Sequence, residues 1–246
     1  MGLKMSKPNQ LIILGGGVSV TEGIELGLWD KIKDHYVMGL NFAFKTFNPT
    51  FTCFVDPISF YRTYKSDIFN LPLIVGRYSK DIVKDIWPNT ILLKDTWIYK
   101  RDCSEGVYNI FLCGIFGLSL AIYLADKIDI KEIFMLGIDG GNITGNHDKF
   151  GKWESHYYSS EFTHKGTGKI KTYHKDDAIH KMYKAFEQVQ DINIYNVSPL
   201  SRIKQFPKID YLTFFDKIET TTYDQNLLRL DIKQHCIDLA NLQKQH

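Results

Sequence analysis

The sequence predicts an α/β protein: a mostly parallel sheet with helices on both faces. Two observations predict it. Short apolar runs alternate with amphipathic segments along the chain, and the first run, Leu11–Leu14, passes through Gly15-Gly16-Gly17 into a helical pattern beginning near Thr21. Strand and helix in turn are the pattern of a parallel sheet whose crossover segments cover it.

The elements follow in order. Strands are expected at Leu11–Leu14, Tyr36–Leu40, Phe51–Val55, Leu73–Val75, Thr90–Leu93, Glu132–Leu136 and Asn193–Tyr195. Helices are expected at Thr21–Ile32, Ile58–Tyr64, Lys80–Ile86, Ile110–Ala125 and Asp177–Val189. From about Thr220 the chain reads as a polar to amphipathic helix. Its stripe of Leu227, Leu228, Leu230, Ile232, Ile237, Leu239 and Leu242 can close the domain or pair with another subunit in a homo-oligomer. The 246 residues therefore divide into one large domain, 1–215, and a helical extension, 216–246.

Composition narrows the partners. A formal net charge of +2 provides no global field for nucleic acid, although a local basic patch leaves a nucleic-acid acceptor open. Cys53, Cys103, Cys113 and Cys236 form no Cys-x-x-Cys pair and read as reduced thiols of a cytoplasmic protein. The polar stretch Met1–Gln10 leads to no expected signal peptide. Ile110–Ala125 falls short of the roughly 20 residues a membrane span needs. Asp126 and Lys127 follow it, so it reads as a core helix and not a transmembrane segment.

Ligands of parallel sheets lie beyond the carboxyl ends of the strands. There the chain places Gly15, Gly16, Gly17 and Ser19, then Asn41, then Asp56-Pro57, then Gly137-Ile138-Asp139-Gly140-Gly141, then Asn196-Val197-Ser198-Pro199. All of these are also turn residues. Their recurrence at several strand ends points to a shared cleft. The glycine turn, followed by a helix, favours a phosphate or another anion, although the same glycines can serve the turn alone.

Residues 142–175 lack periodicity and are too long for a plain connection. Trp153, Tyr157, Tyr158, Phe162 and Tyr173 make a lid over about 140–175 a better reading than a disordered linker. His147, His156, His164, His174 and His180 gather in or just after it. In Ser155-His156-Tyr157-Tyr158 an imidazole stands beside two phenols. His156 can take a proton from an acceptor hydroxyl while Tyr157 or Tyr158 donates to a departing phosphate. The alternative is a solvated histidine with packing tyrosines. A cation held by His147, Asp148 and His156, or by Asp139 with Asp148, is the competing reading. No His-x-x-x-His or His-Glu-x-x-His accompanies it, and the expectation is that no metal is required.

Several of these residues, in order, carry a family pattern. They are Leu14-Gly15-Gly16-Gly17-Val18-Ser19, Leu40-Asn41-Phe42, Val55-Asp56-Pro57, Lys131 to Asp139, Ser155-His156-Tyr157 and Tyr195-Asn196-Val197-Ser198-Pro199. Over most of residues 10 to 200 the chain resembles the bacterial sialyltransferases that decorate lipooligosaccharides. It also resembles the wider family that includes archaeal 6-hydroxymethylpterin pyrophosphokinases. The resemblance implies a Rossmann-like nucleotide-binding fold and a nucleotide-activated donor. In the sialyltransferases that donor is a cytidine monophosphate sugar used without metal. It also implies that the glycine turn, Asn41, Asp56 and the Gly137–Asp139 turn line the donor. The chain departs from the pattern at Gly16 and Asp56, where the family carries asparagine. It departs again at Gly141, where a phosphate-contacting tyrosine is expected, and at Ser160, where the sialyltransferase histidine falls; His156 or His164 would take that role.

The function expected from all of this is a transferase using a nucleotide-activated donor, foremost a glycosyltransferase. Gly15, Gly16, Gly17, Ser19, Asn41, Asp56, Gly137, Asp139 and Ser198 would bind the nucleotide sugar. His156, Tyr157 and Tyr158 would catalyse transfer to a glycan or other hydroxyl acceptor. The alternatives are an ATP- and Mg-dependent pyrophosphokinase acting on a pterin-like alcohol, with Asp139 and Asp148 as metal ligands, and a non-catalytic nucleotide-binding protein.

Overall fold

The computed structural model describes residues 8–55, 67–78, 89–94, 113–140, 183–189 and 191–244. The expected helices at 58–64 and 80–86 lie outside them, as does most of the one at 177–189. So do Asp56, Cys103, Gly141, Asp148, His156, Tyr157, Tyr158, Ser160 and His164.

Among the described residues seven strands form one sheet: β1 (Gln10–Leu14), β2 (Val37–Leu40), β3 (Phe51–Phe54), β4 (Ile74–Arg77), β5 (Thr90–Leu93), β6 (Glu132–Leu136) and β7 (Asn193–Asn196). Their spatial order is β5-β4-β3-β2-β1-β6-β7, and every pairing is parallel. The central strands are apolar runs without alternation because both faces are covered. The α/β architecture with a helical C-terminal tail is as the sequence predicts. Strand positions agree to within about two residues, and β5 and β6 coincide with their predicted limits.

Among the described residues the main helices are α1 (Val20–Glu25), α2 (Leu28–Ile32), α3 (Cys113–Ile128), α4 (Tyr211–Lys217) and α5 (Gln225–Lys244). The single helix expected at Thr21–Ile32 is two, because Gly27 at φ 85° turns the chain between them. A 3-10 turn, Asn41–Lys45, follows β2 directly. α4 was not expected. Asp210 caps it, its carboxylate accepting from the Thr213 amide at 2.7 Å.

Each face has its own core. One joins Leu11, Ile13, Met38, Phe51 and Val75 to α3 and α5. The other joins Ile12, Leu14, Val37, Phe134 and Leu136 to α1, α2 and α4. α5 closes the domain through Leu228, Ile232, Cys236, Leu239 and Gln243, spaced three and four apart. Leu227, Leu230 and Leu242 of the expected stripe remain exposed. Gln243 clips the end of the edge strand β5: its side chain accepts from the Lys94 amide and donates to the Lys94 carbonyl, both at 2.8 Å. Among the described residues no helix is long and apolar enough to cross a membrane.

Candidate functional site

The strand order fixes where a ligand crevice opens. From β1 the chain builds outward through β5, then returns to add β6 and β7 on the other side of β1. The ends of β1 and β6 therefore flank a topological switch point, where open α/β sheets bind ligands. The turns Gly15–Ser19 and Gly137–Asp139 meet there.

The two turns are sewn together. The Gly15 amide donates to the Leu136 carbonyl at 2.7 Å and the Gly17 amide to the Gly137 carbonyl at 2.8 Å, extending the β1–β6 ladder past both strands. A Cβ on Gly17 would stand 2.4 Å from Asp139 Oδ2 and 2.6 Å from the Gly137 oxygen. Gly137 itself sits at φ 64° with Val20 Cγ2 pressed against it. Gly15, Gly17 and Gly137 are thus required by the close approach of one turn to the other. The amides of Gly15 and Gly17 are committed within the protein, and Gly16, between them, is half-buried.

Asp139 closes the seam. Its Oδ2 accepts from the Ser19 amide at 3.0 Å and its Oδ1 from the Ser19 hydroxyl at 2.5 Å. Asp139 is only 3% exposed, and burial raises its pKa above the usual carboxylate value. The Ser19 amide and hydroxyl, and the nearby Ser198 hydroxyl, oppose that shift by favouring the charged form. The donors at the start of α1 are therefore already answered by an internal carboxylate. A second anion about 4 Å from it would cost about 4 kcal/mol at an effective dielectric of about 20. Each Asp139 oxygen keeps a further lone pair, so the group can still accept from a ligand hydroxyl or amine.

The flanks complete the crevice edge. Asn41 lies two residues past the Leu14–Gly39 register pair, on the same sheet edge as Gly16. Its φ of 49° is a left-handed conformation that asparagine tolerates better than most residues. On the other side, β7 ends in Asn196. The Asn196 amide group donates to the Ile138 carbonyl at 3.2 Å and to Ser201 Oγ at 2.9 Å. The Ser201 hydroxyl donates to the same carbonyl at 3.2 Å, and the Arg202 amide donates to the Asp139 carbonyl at 2.8 Å. Asn196 Oδ1 and Ser198 Oγ are buried without a hydrogen-bond partner of good geometry.

The structure thus brings Gly15, Gly16, Gly17, Ser19, Asn41, Gly137, Asp139 and Ser198 to one edge of the sheet. Asp56, His156, Tyr157 and Tyr158 lie outside the described residues. Sequence reasoning overlooks Ser201 and Arg202. The short polar turn Ser198-Pro199-Leu200-Ser201-Arg202 after the last strand was the available signal.

No family model and no curated protein matches the chain. Among solved structures it is similar to the MAf glycosyltransferase from Magnetospirillum magneticum AMB-1, with a TM-score of 0.53 and 12% identity. The match covers 94% of this chain and 38% of that one, so the chain spans well under half of that protein's length. At this identity the likeness speaks for the fold alone, a Rossmann-like α/β sheet.

Proposed function

We propose that this chain is a transferase that binds a nucleotide-activated donor in the crevice between the β1 and β6 ends, and that it transfers a sugar to an acceptor hydroxyl. The observation that carries the reading is the convergence of Ser19, Asn41, Asp139 and Ser198 on a topological switch point. The ordered motifs shared with sialyltransferases and the fold likeness to a glycosyltransferase support it.

In this reading Gly15, Gly17 and Gly137 shape the crevice floor. Asp139 accepts from the hydroxyl or amine donors of the nucleoside, and Asn41, Asp56 and Gly16 line it. His156 takes the acceptor proton as the new glycosidic bond forms. Tyr157 or Tyr158 donates to the leaving phosphate as its charge develops. Positioning of donor and acceptor supplies much of the rate, and the reaction needs no metal.

A thermal-shift panel of nucleotides and nucleotide sugars, with and without magnesium, tests this. Stabilisation by a nucleotide sugar in the presence of EDTA is expected. A shift seen only with ATP and magnesium would replace this reading with pyrophosphoryl transfer, and no shift with any nucleotide would end both. His156→Ala should abolish transfer while leaving nucleotide affinity nearly intact; unchanged turnover would remove His156 from the mechanism.

A further inference from the structure

Three of the chain's four cysteines lie among the described residues, and all three stand on the α3 and α5 side of the sheet. They differ in access. Cys236 of α5 is fully buried, and burial pushes its thiol up to about 12, so it is an inert packing group. Cys53, the third residue of β3, is also fully buried, flanked in register by Leu40 and Val75. Cys113, the first residue of α3, is only half-buried. These last two touch, although 60 positions separate them in the chain. The Cys113 thiol donates to the Cys53 carbonyl at 3.6 Å, and the Cys53 thiol hydrogen-bonds the Cys113 sulfur. The pair borders the crevice. A Cβ on Gly114 would stand 2.8 Å from the Tyr183 hydroxyl and 3.4 Å from Ile138 Cγ2, so the start of α3 leans on the turn that carries Asp139.

We propose that Cys53 and Cys113 form a redox modification site, closed to an internal disulfide by exchange with a low-molecular-weight disulfide such as oxidised glutathione. The inference is independent of the nucleotide reading above. Two thiols already in hydrogen-bond contact can close to the about 2.05 Å of a disulfide by rotating about their Cα–Cβ bonds. Access sets the order of events. Solvent reaches Cys113 and not Cys53. Burial also holds the Cys53 thiol well above its ordinary pKa, and the neighbouring Cys113 and Cys236 thiols add to the shift. The Cys113 thiolate therefore attacks the small disulfide first. The glutathione S–S bond breaks, one glutathione leaves as a thiolate, and a mixed disulfide remains on Cys113. The Cys53 thiolate then attacks Cys113 Sγ, and the second glutathione leaves in the same way. The proton lost by each attacking thiol is taken up by a leaving glutathione. Two protein thiols are oxidised and one glutathione disulfide is reduced to two thiols, so electrons and protons balance. The product ties the end of β3 to the start of α3, and a reduced dithiol reverses it.

The test is to incubate the folded full chain with oxidised glutathione, block the remaining thiols and map the cross-links by mass spectrometry. Chymotrypsin is the protease of choice, because cleavage after Phe111 separates Cys103 from Cys113. A fragment joining Cys53 to Cys113 is expected. The same link should form in Cys103→Ser and be absent from Cys113→Ser. The oxidised chain should melt above the reduced one, by about 5 °C, because the bond closes a long loop. Dithiothreitol should reverse that gain. The mapping reads the unmodified chain, so it decides the matter even where a cysteine variant fails to fold. A link from Cys53 or Cys113 to Cys103 or Cys236 would overturn the proposal. So would a mixed disulfide that stays on Cys113 without closing, or no reaction at either thiol. An oxidised chain that melts no higher than the reduced one would also overturn it, since the bond would then demand a backbone that the native fold does not have.

Discussion

The seam between β1 and β6 and the turn after β7 lie on the same sheet edge and are built on opposite principles. In the seam the polar groups answer one another: Gly15 to Leu136, Gly17 to Gly137, Ser19 to both oxygens of Asp139. After β7, Ser201 and Arg202 tie the backbone down, Asn196 Oδ1 lacks a partner, and the charged side chains of the turn itself are all positive. An unmade hydrogen bond inside a protein costs stability, whereas a made one is structure. The glycine turn, the part that looks most like a ligand loop in the sequence, is therefore largely scaffolding. The plainer turn keeps an unfilled acceptor at Asn196 Oδ1.

That contrast can be broken most directly at Gly17. Gly17→Ala puts a methyl against the Asp139 carboxylate and the Gly137 carbonyl, neither of which can retreat. It should destabilise the chain by about 3 kcal/mol, at the upper end for overpacking, as read from urea denaturation. A loss below about 1 kcal/mol would mean that the two turns are not in contact.

Ser19→Ala comes next. It removes the hydroxyl donor to a buried carboxylate and should cost about 2 kcal/mol at neutral pH. Asp139 sharpens the point through pH. Its folded pKa lies above the unfolded value of 3.8, so the folded chain holds this proton to higher pH. The group's contribution to stability is therefore greatest below the unfolded value. It falls as pH rises through the window between the unfolded and folded pKa. In Asp139→Asn that segment of the pH–stability curve should vanish, and in Ser19→Ala it should extend to higher pH, because a group that favoured the charged form has gone. Identical curves for all three chains would show that the carboxylate is solvated.

Gly27 gives the smaller, purely local comparison. Nothing lies within 4 Å of a Cβ built there, so Gly27→Ala meets only the strain of a left-handed backbone. About 1 kcal/mol is expected, clearly less than at Gly17. The smallest effect belongs to the β7 turn: Ser198→Ala removes a hydroxyl with no partner of good geometry and should change stability by less than about 0.5 kcal/mol. A loss of 2 kcal/mol there would place Ser198 in the scaffold with Ser19.

Much of the fold was legible because parallel strands buried on both faces leave apolar runs that end abruptly in Gly, Asn or Asp. β6, which runs into Gly137, could be bounded to the residue for that reason. The break between α1 and α2 was less visible. The apolar spacing continues through it, and a single glycine inside a helical pattern is ambiguous until its φ is known. α4 is hidden in the sequence although Asp210 marks its start, because its seven residues are too few to show a period. In the site, Ser19, Asn41, Asp139 and Ser198 were readable as polar residues after strands. Ser201 and Arg202 were not, since they reach Ile138 and Asp139 across more than 60 positions of chain.

By itself the sequence determined the class of the fold, the places where strands end, and the residue types that wait there, because burial period and turn chemistry are local properties. Only the tertiary structure decided that β6 returns to the far side of β1, which creates the switch point. It also decided that Asp139 folds into Ser19 and takes up the donors that the glycine turn would otherwise offer an anion. Pairing between distant segments depends on strand order and on which polar groups find each other in a desolvated seam, and neither is written in the spacing of residues along the chain.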